Sequence, residues 1–386
     1  MKRFIVTIVF IISGNQVLAQ QIFPFGYEKP RQLPDGIKTG LLKEAGLNPQ
    51  IIDALTDSIT KGIYTNIHSV LILRNNKLVY EQYWPGKDFV RWKQLGIVNH
   101  HRDSLHDVRS VTKSVVSAAV MIAIAQKKIK SEKQRVFDYF PEYSKYDTGL
   151  KRQITIKHLL NMSAGFEWNE SLSYNDSLNS ATQLENDSNP IKFVLRQTLA
   201  DTPGSKFNYS GGCTQLLSAI VEKATGMDIE KFTAKHLFKP LGITNYKWTT
   251  GNNGVLSAGA GLRMRSRDLL KFGMLYLNNG KWKGKQIIPS QLVAQSFISG
   301  VFVPYSSNEL RIGYSNQFWI YSETIEGRPV TYIQAQGNGG QIIVIDKQTD
   351  LVVVLTAGNY GQGSLRKSSW NIYYDFVYPS ILKKEK

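Results

Sequence analysis

Four Ser-x-x-Lys tetrads occur in the chain: Ser58-Ile59-Thr60-Lys61, Ser110-Val111-Thr112-Lys113, Ser364-Leu365-Arg366-Lys367 and Ser380-Ile381-Leu382-Lys383. Residues three apart share a helical face, so each tetrad could bring a hydroxyl to an amine. An amine that takes the serine proton makes a nucleophile of an otherwise sluggish hydroxyl, which is acyl-transfer chemistry without histidine. At least three of the four must be accidents, and context has to choose. Ser58 and Ser380 lie in amphipathic or terminal stretches where the lysine points to water. Ser364 follows Gly361 and Gly363, where a helix cap is the simpler explanation. Only Ser110 opens a run, Val115 to Ala125, apolar enough to bury its lysine. Burial is expected to push Lys113 down toward neutrality and so make it a base. The competing reading of Ser110 is an N-cap, since serine at a helix start commonly satisfies a free backbone N–H.

Other chemistries find no motif. The chain has no G-x-S-x-G, no H-E-x-x-H, no G-x-x-x-x-G-K-[ST] and no aromatic-plus-basic RNA-binding motif. Its six histidines are scattered and Cys213 is the single cysteine, so spacing predicts no metal site, no cofactor and no intrachain disulfide. A Ser-His-Asp triad has no positive support.

The elements that must position Ser110 can be read from periodicity. Ile67 to Leu73 and Leu78 to Tyr83 are β-branched and aromatic runs separated by Arg74-Asn75-Asn76-Lys77, which reads as a hairpin. A long, mostly apolar helix follows from about Val111 to Lys127. Further helices are expected over Gly212 to Thr225 and Ser266 to Asn278. Strands return at Phe318 to Tyr321, Val330 to Ala335, Gln341 to Ile345 and Leu351 to Thr356, before a last helix over Lys367 to Tyr378. Strands at both ends with helices between them predict one sheet built from the two termini, about 20–110 and 300–386, with a helical region of about 111–299 inserted.

With 386 residues, 42% of them apolar, the chain can bury a full core, which excludes a disordered tail or a disulfide-stapled miniprotein. Lys2 and Arg3, the apolar run Phe4 to Ser13, and the small-residue ending Val17-Leu18-Ala19 read as a secretory signal peptide over 1–19, cleaved near Ala19. That places the mature protein outside the cytoplasm, periplasmic or secreted. Removing the two basic residues lowers the formal charge from +17 to +15. The surplus lies outside 158–191, which carries Glu167, Glu170, Asp176, Glu185 and Asp187 and no lysine or arginine. The charge therefore suggests no nucleic acid, and at most adhesion of the outer surface to anionic envelope polymers. Ser171 to Pro190, without a clear helical period, is read either as a rim of the substrate cleft or as a solvated loop.

Tyr209, in Pro203-Gly204-Ser205-Lys206-Phe207-Asn208-Tyr209-Ser210-Gly211, lies 99 residues beyond Ser110, and Asn338, in Gln336-Gly337-Asn338-Gly339-Gly340-Gln341, lies 129 beyond Tyr209. With these segments and Asp107 to Ser114, the chain resembles the serine β-lactamase-related hydrolases. That family includes class C β-lactamases, D-alanyl-D-alanine carboxypeptidases, family VIII esterases and aminohexanoate-oligomer hydrolases. Ser69 to Tyr83, Ile156 to Gly165, Leu237 to Ile243 and Gly259 to Asn279 extend the resemblance over most of the mature chain. It implies an α/β (α+β) β-lactamase/transpeptidase-like fold, with an antiparallel sheet flanked by helices and the site in the cleft beside an all-helical region. It makes Ser110 the acylated nucleophile, Lys113 its activating partner and Tyr209 the phenol that shuttles protons. By the same resemblance the backbone N–H groups of Ser110 and Gln341 bind the oxyanion, and Asn338, Gly339 and Gly340 form the substrate-binding edge.

Two departures from the family's pattern narrow the substrate. Tyr209-Ser210-Gly211 stands where many members have Tyr-x-Asn, and Asn338 where lactamases and carboxypeptidases carry a lysine or histidine. A neutral amide cannot give the charge-assisted bond that holds a substrate carboxylate. The expectation is a secreted serine hydrolase of carboxylic esters or simple amides. The alternatives are a β-lactamase or D-Ala-D-Ala carboxypeptidase with the same machinery, or a catalytically weak protein that binds cell-wall fragments.

Overall fold

The computed structural model describes residues 27–382 apart from 92, 305–306, 308–309, 326 and 363–368. The expected leader over 1–19 and the tetrad Ser364 to Lys367 lie outside the described residues.

A nine-stranded sheet joins the two ends of the chain. Strands Ile67–Arg74 and Lys77–Tyr83 pair through a two-residue turn in which Asn75 and Asn76 both have positive φ, 51° and 57°. Asparagine tolerates that conformation, and the mirror-image turn it makes matches the twist of the strands. Ile67–Arg74 pairs antiparallel with Leu351–Ala357. From there Gln341–Asp346, Arg328–Gly337, Phe318–Ile325, Leu310–Ser315 and Val301–Phe302 follow as an antiparallel meander. One edge departs from the expected all-antiparallel sheet: Lys38–Thr39 runs parallel to Lys77 and Leu78, so the sheet is mixed.

Both faces of the sheet are covered, which explains why its central strands read as unbroken apolar runs. Leu71, Leu73, Val352 and Val354 face a core shared with helices Val111–Ala125 and Ser266–Leu277. Val70, Ile72, Val353 and Leu355 face the opposite layer, made by helix Pro49–Thr60 and the C-terminal turn Tyr373–Val377. Val111 to Ala123 are all buried. Each fully buried valine or isoleucine there contributes about 1.5–3 kcal/mol, enough to hold a polar group of the same helix out of water. This helix packs on Gly211–Thr225, the centre of the helical region.

Two elements carry no usable periodicity and escape a sequence reading. Pro85–Val90 and Lys93–Asn99 form a separate hairpin, largely exposed along its second strand. His106–Asp107, Leu262–Met264 and Tyr246–Trp248 make a small sheet that leads directly into Ser110.

Candidate active site

From Asp107 the chain turns through Arg109, a non-glycine residue at φ 48°, and enters the helix at Val111. Such a backbone costs of order 1–3 kcal/mol and persists only where its surroundings hold it. Here the Arg109 guanidinium lies 3.6 Å from the Asp107 carboxylate and 4.9 Å from the centre of the Tyr360 ring, and donates to the Arg91 carbonyl. The turn presents Ser110 at the helix start, yet its side chain makes no capping bond. The Ser110 Oγ instead accepts a hydrogen bond from Lys113 Nζ at 3.1 Å. The N-cap reading is therefore excluded by geometry.

Lys113 is 2% exposed and also donates to the Gly259 carbonyl at 3.0 Å. Its amine lies 4.9 Å from the centre of the Tyr209 ring and 3.9 Å from Glu170 Oε1. Burial pushes this lysine down, but Tyr209 and Glu170 outweigh burial and hold it above the ordinary lysine value. The expectation of a lysine lowered toward neutrality is corrected: burial acts in that direction, but the neighbouring Tyr209 and Glu170 hold it up.

Glu170 was visible in the sequence only as one of five acids in a lysine-free stretch. Its side chain is 5% exposed, and Oε2 accepts from the Gly211 N–H at 2.7 Å and the Trp168 indole at 3.0 Å. A Cβ on Gly211 would stand 3.2 Å from that oxygen. The glycine in Tyr209-Ser210-Gly211 and the buried carboxylate thus fit each other, and no local motif joins residues 170 and 211.

Tyr209 precedes helix Gly211–Thr225, which Ser210 caps by accepting from the Cys213 N–H at 3.3 Å. The Tyr209 ring stacks on Trp319, with centroids 5.7 Å apart and planes 22° apart. Across the cleft, Gly339 and Gly340 adopt φ 93° and 95°, a region that favours glycine, and turn the chain into strand Gln341–Asp346. The Gln341 side chain is tied to the backbone of Ala357, and the residue lines the cleft beside Gly337 and Asn338. Asn338 Oδ1 accepts from the Gly361 N–H at 2.8 Å.

Ser58, Lys61 and Ser380 of the other tetrads have ordinary local partners, while Lys383 lies outside the described residues. Ser58 Oγ donates to the Ala54 carbonyl at 2.8 Å while Lys61 meets Asp57 at the surface. Ser380 Oγ donates to the Val377 carbonyl at 2.7 Å.

Two cavities meet at Ser110. One of about 220 Å³ reaches from Lys113 to Gln215, Glu185 and Ser257. The other, about 770 Å³, is walled by Trp168, Phe207, Tyr209, Trp319 and Trp370 and floored by Gly337, Asn338 and Gln341. The 171–190 segment borders the smaller cavity through Tyr174, Thr182 and Leu184, and contains a helix, Ser180–Asn186, capped by Asn179. Glu170 and Glu185 also line that cavity, so two of the five acids face the cleft. Among the described residues one group could hold a metal ion, His68, Asp88, His100 and His106, although their spacing predicts none. None of the four lines either cavity.

A serine at a helix start bonded to a buried lysine, beside a stacked tyrosine and a glycine-led strand edge, is an arrangement chemically able to carry acyl transfer. The Beta-lactamase family model matches residues 67–372, and the chain belongs to that family as one of its hydrolases. It is 24% identical over 301 residues to the 6-aminohexanoate-dimer hydrolase of Paenarthrobacter ureafaciens, covering 74% of this chain and 70% of that one. It is 26% identical over 211 residues to an Escherichia coli K12 protein provisionally named a D-alanyl-D-alanine carboxypeptidase, spanning 53% of this chain and only 48% of that relative. The fold superposes on a family VIII carboxylesterase with a TM-score of 0.63, at 16% identity over 86% of this chain and 98% of the other. Among the described residues no helix is long and apolar enough to cross a membrane.

Proposed function

We propose that the protein hydrolyses a carboxylic ester or simple amide through an acyl-enzyme on Ser110. The observation that carries the reading is the 3.1 Å bond between Lys113 Nζ and Ser110 Oγ in a site whose edge bears neutral Asn338. Because its neighbours hold Lys113 high, attack requires the Ser110–Lys113–Tyr209 cluster to give up a proton first. In that form the Ser110 Oγ bonds to the substrate carbonyl carbon, its proton passes to the Lys113–Tyr209 pair, and the carbonyl oxygen becomes an oxyanion facing the N–H groups of Ser110 and Gln341. The pair then gives the proton to the leaving oxygen or nitrogen as the acyl–leaving-group bond breaks. Water repeats the sequence on the acyl-enzyme and frees the acid.

The aromatic wall of the larger cavity suits an apolar acyl or leaving group. The names of the hydrolase and carboxylesterase relatives lend the ester and amide reading support, and the carboxypeptidase name keeps D-Ala-D-Ala peptides on the test panel. We further propose that the enzyme acts outside the cytoplasm, as its N-terminal sequence suggests, and that its basic outer surface can rest on anionic envelope polymers.

The test is a hydrolysis screen of short-chain p-nitrophenyl esters, linear amides, nitrocefin and D-Ala-D-Ala peptides, run beside Ser110→Ala. Ester or amide turnover that vanishes in Ser110→Ala is the expected result. Faster turnover of nitrocefin would make the protein a β-lactamase, and no turnover of any member would favour a binding role.

A further inference from the structure

Four side chains that no motif connects converge beside the strand leading into Ser110. His68 lies in strand Ile67–Arg74, Asp88 in Pro85–Val90, His100 just beyond Lys93–Asn99, and His106 in His106–Asp107. All four are buried, and one ligand atom from each lies within 4.8 Å of the other three. The His68 and His100 rings stack with centroids 3.8 Å apart, and those of His100 and His106 are 4.8 Å apart.

The ring nitrogens are what make the cluster unusual. His68 Nε2 lies 3.0 Å from the Lys87 carbonyl, to which only its N–H form can donate, and this leaves Nδ1 as a lone pair turned inward. His68 Nδ1 and both ring nitrogens of His100 and of His106 are buried without a hydrogen-bond partner among the described residues. A buried polar atom left unsatisfied forfeits its solvation, and five in one place is a cost that folded proteins do not carry without compensation. Asp88 accepts from its neighbour, the Phe89 N–H, at 2.8 Å.

We propose that His68, His100, His106 and Asp88 bind one Zn²⁺ ion as a closed, four-ligand structural site. Three imidazoles and one carboxylate are a donor set for zinc, and tetrahedral bonds of about 2.0–2.2 Å place the donors roughly 3.3 Å apart. Closing from 4.8 Å to that spacing takes side-chain adjustment without a change of fold. Calcium and magnesium prefer six or more oxygen ligands, whereas this cluster supplies one carboxylate. The Lys87 carbonyl holds the His68 ring in the orientation that a liganded histidine needs.

The ion would tie strand Ile67–Arg74, the two ends of the exposed hairpin segment and the small sheet to one point. His106 is four residues from Ser110, so the tie would brace the strained turn at Arg109. Because none of the four ligands lines the cleft, the ion is structural and takes no part in acyl transfer.

The full chain, purified with a tag free of histidine and without chelators, is analysed for metal by mass spectrometry. The expected result is about one zinc per chain. Stripping with dipicolinate should lower the melting temperature, and Zn²⁺, but not Mg²⁺ or Ca²⁺, should restore it. Stripped protein given Co²⁺ should show the intense visible bands of tetrahedral cobalt. His100→Phe and Asp88→Asn should each cut zinc content or affinity by about tenfold or more. Should both variants misfold, the stripping and cobalt measurements on the unaltered chain decide alone. Substoichiometric zinc with no cobalt bands, a different metal at full occupancy, or undiminished binding in both variants would each overturn the assignment.

Discussion

Two buried polar clusters flank the Arg109 turn, and they are built on opposite principles. Around Ser110, Lys113 donates to a hydroxyl and a carbonyl, and the Glu170 carboxylate is held by an indole and a backbone N–H. Around His106, five imidazole nitrogens have no protein partner among the described residues. The first cluster is complete in itself; the second is complete only with a ligand. Buried polar groups that satisfy one another can serve chemistry directly, whereas groups that leave each other unsatisfied call for something the chain does not encode.

The sharpest way to break the comparison is to remove the first cluster's nucleophile. Ser110→Ala should lower kcat/KM for the best ester by about 10³-fold or more while leaving the melting temperature nearly unchanged. Loss of the proton relay comes next. Lys113→Ala and Tyr209→Phe should each cost about 10²–10⁴-fold in kcat, measured at saturating ester.

Glu170 tests whether the cluster is as self-contained as its geometry implies. In the unaltered enzyme kcat/KM should rise with pH through neutrality, because the working form has lost a proton from a cluster whose lysine is held high. Glu170→Gln removes one of the charges that raise Lys113, so the alkaline rise should move to lower pH. Stability follows the same sign. A raised folded value means that Lys113's contribution is present in full below the unfolded lysine value and fades as pH climbs through the folded one. Urea unfolding should therefore show stability lost at strongly alkaline pH, with a smaller loss in Glu170→Gln.

Gly211→Asn restores the family's residue but meets the Glu170 carboxylate at 3.2 Å, so it should destabilise by about 1–3 kcal/mol in the same assay. Combining it with Glu170→Ala should recover part of that loss. The smallest expected change is Asn338→His, which offers a cation to a substrate carboxylate at the expense of the Gly361 contact. Turnover of carboxylate-bearing substrates relative to neutral esters should rise by about tenfold.

The two clusters also differ in how far the sequence exposes them. Ser110 and Lys113 are three apart and followed by an apolar run, so one motif shows both the nucleophile and its burial. The sheet was equally open to reading, because strands covered on both faces are continuous apolar runs, and Asn75-Asn76 marks the turn between the first two long ones. Glu170 and Gly211 meet only after two segments 41 residues apart fold together, and composition shows the acid merely as charge. His68, Asp88, His100 and His106 span 39 residues, and three of them lie in three different strands, among short or exposed elements with no periodic signal. Spacing therefore predicted no metal site, since zinc motifs read from sequence depend on ligands close together along the chain. The direction of the Lys113 shift is hidden from the sequence for a related reason: burial is visible in an apolar run, but the opposing Tyr209 and Glu170 come from elsewhere.

The central claim is that Lys113 activates Ser110 for acylation. Incubation with a fluorophosphonate probe followed by peptide mass spectrometry tests it directly. The account predicts one adduct per chain, on Ser110, forming far more slowly in Lys113→Ala. An adduct elsewhere, or one on Ser110 that forms equally fast without Lys113, would contradict it.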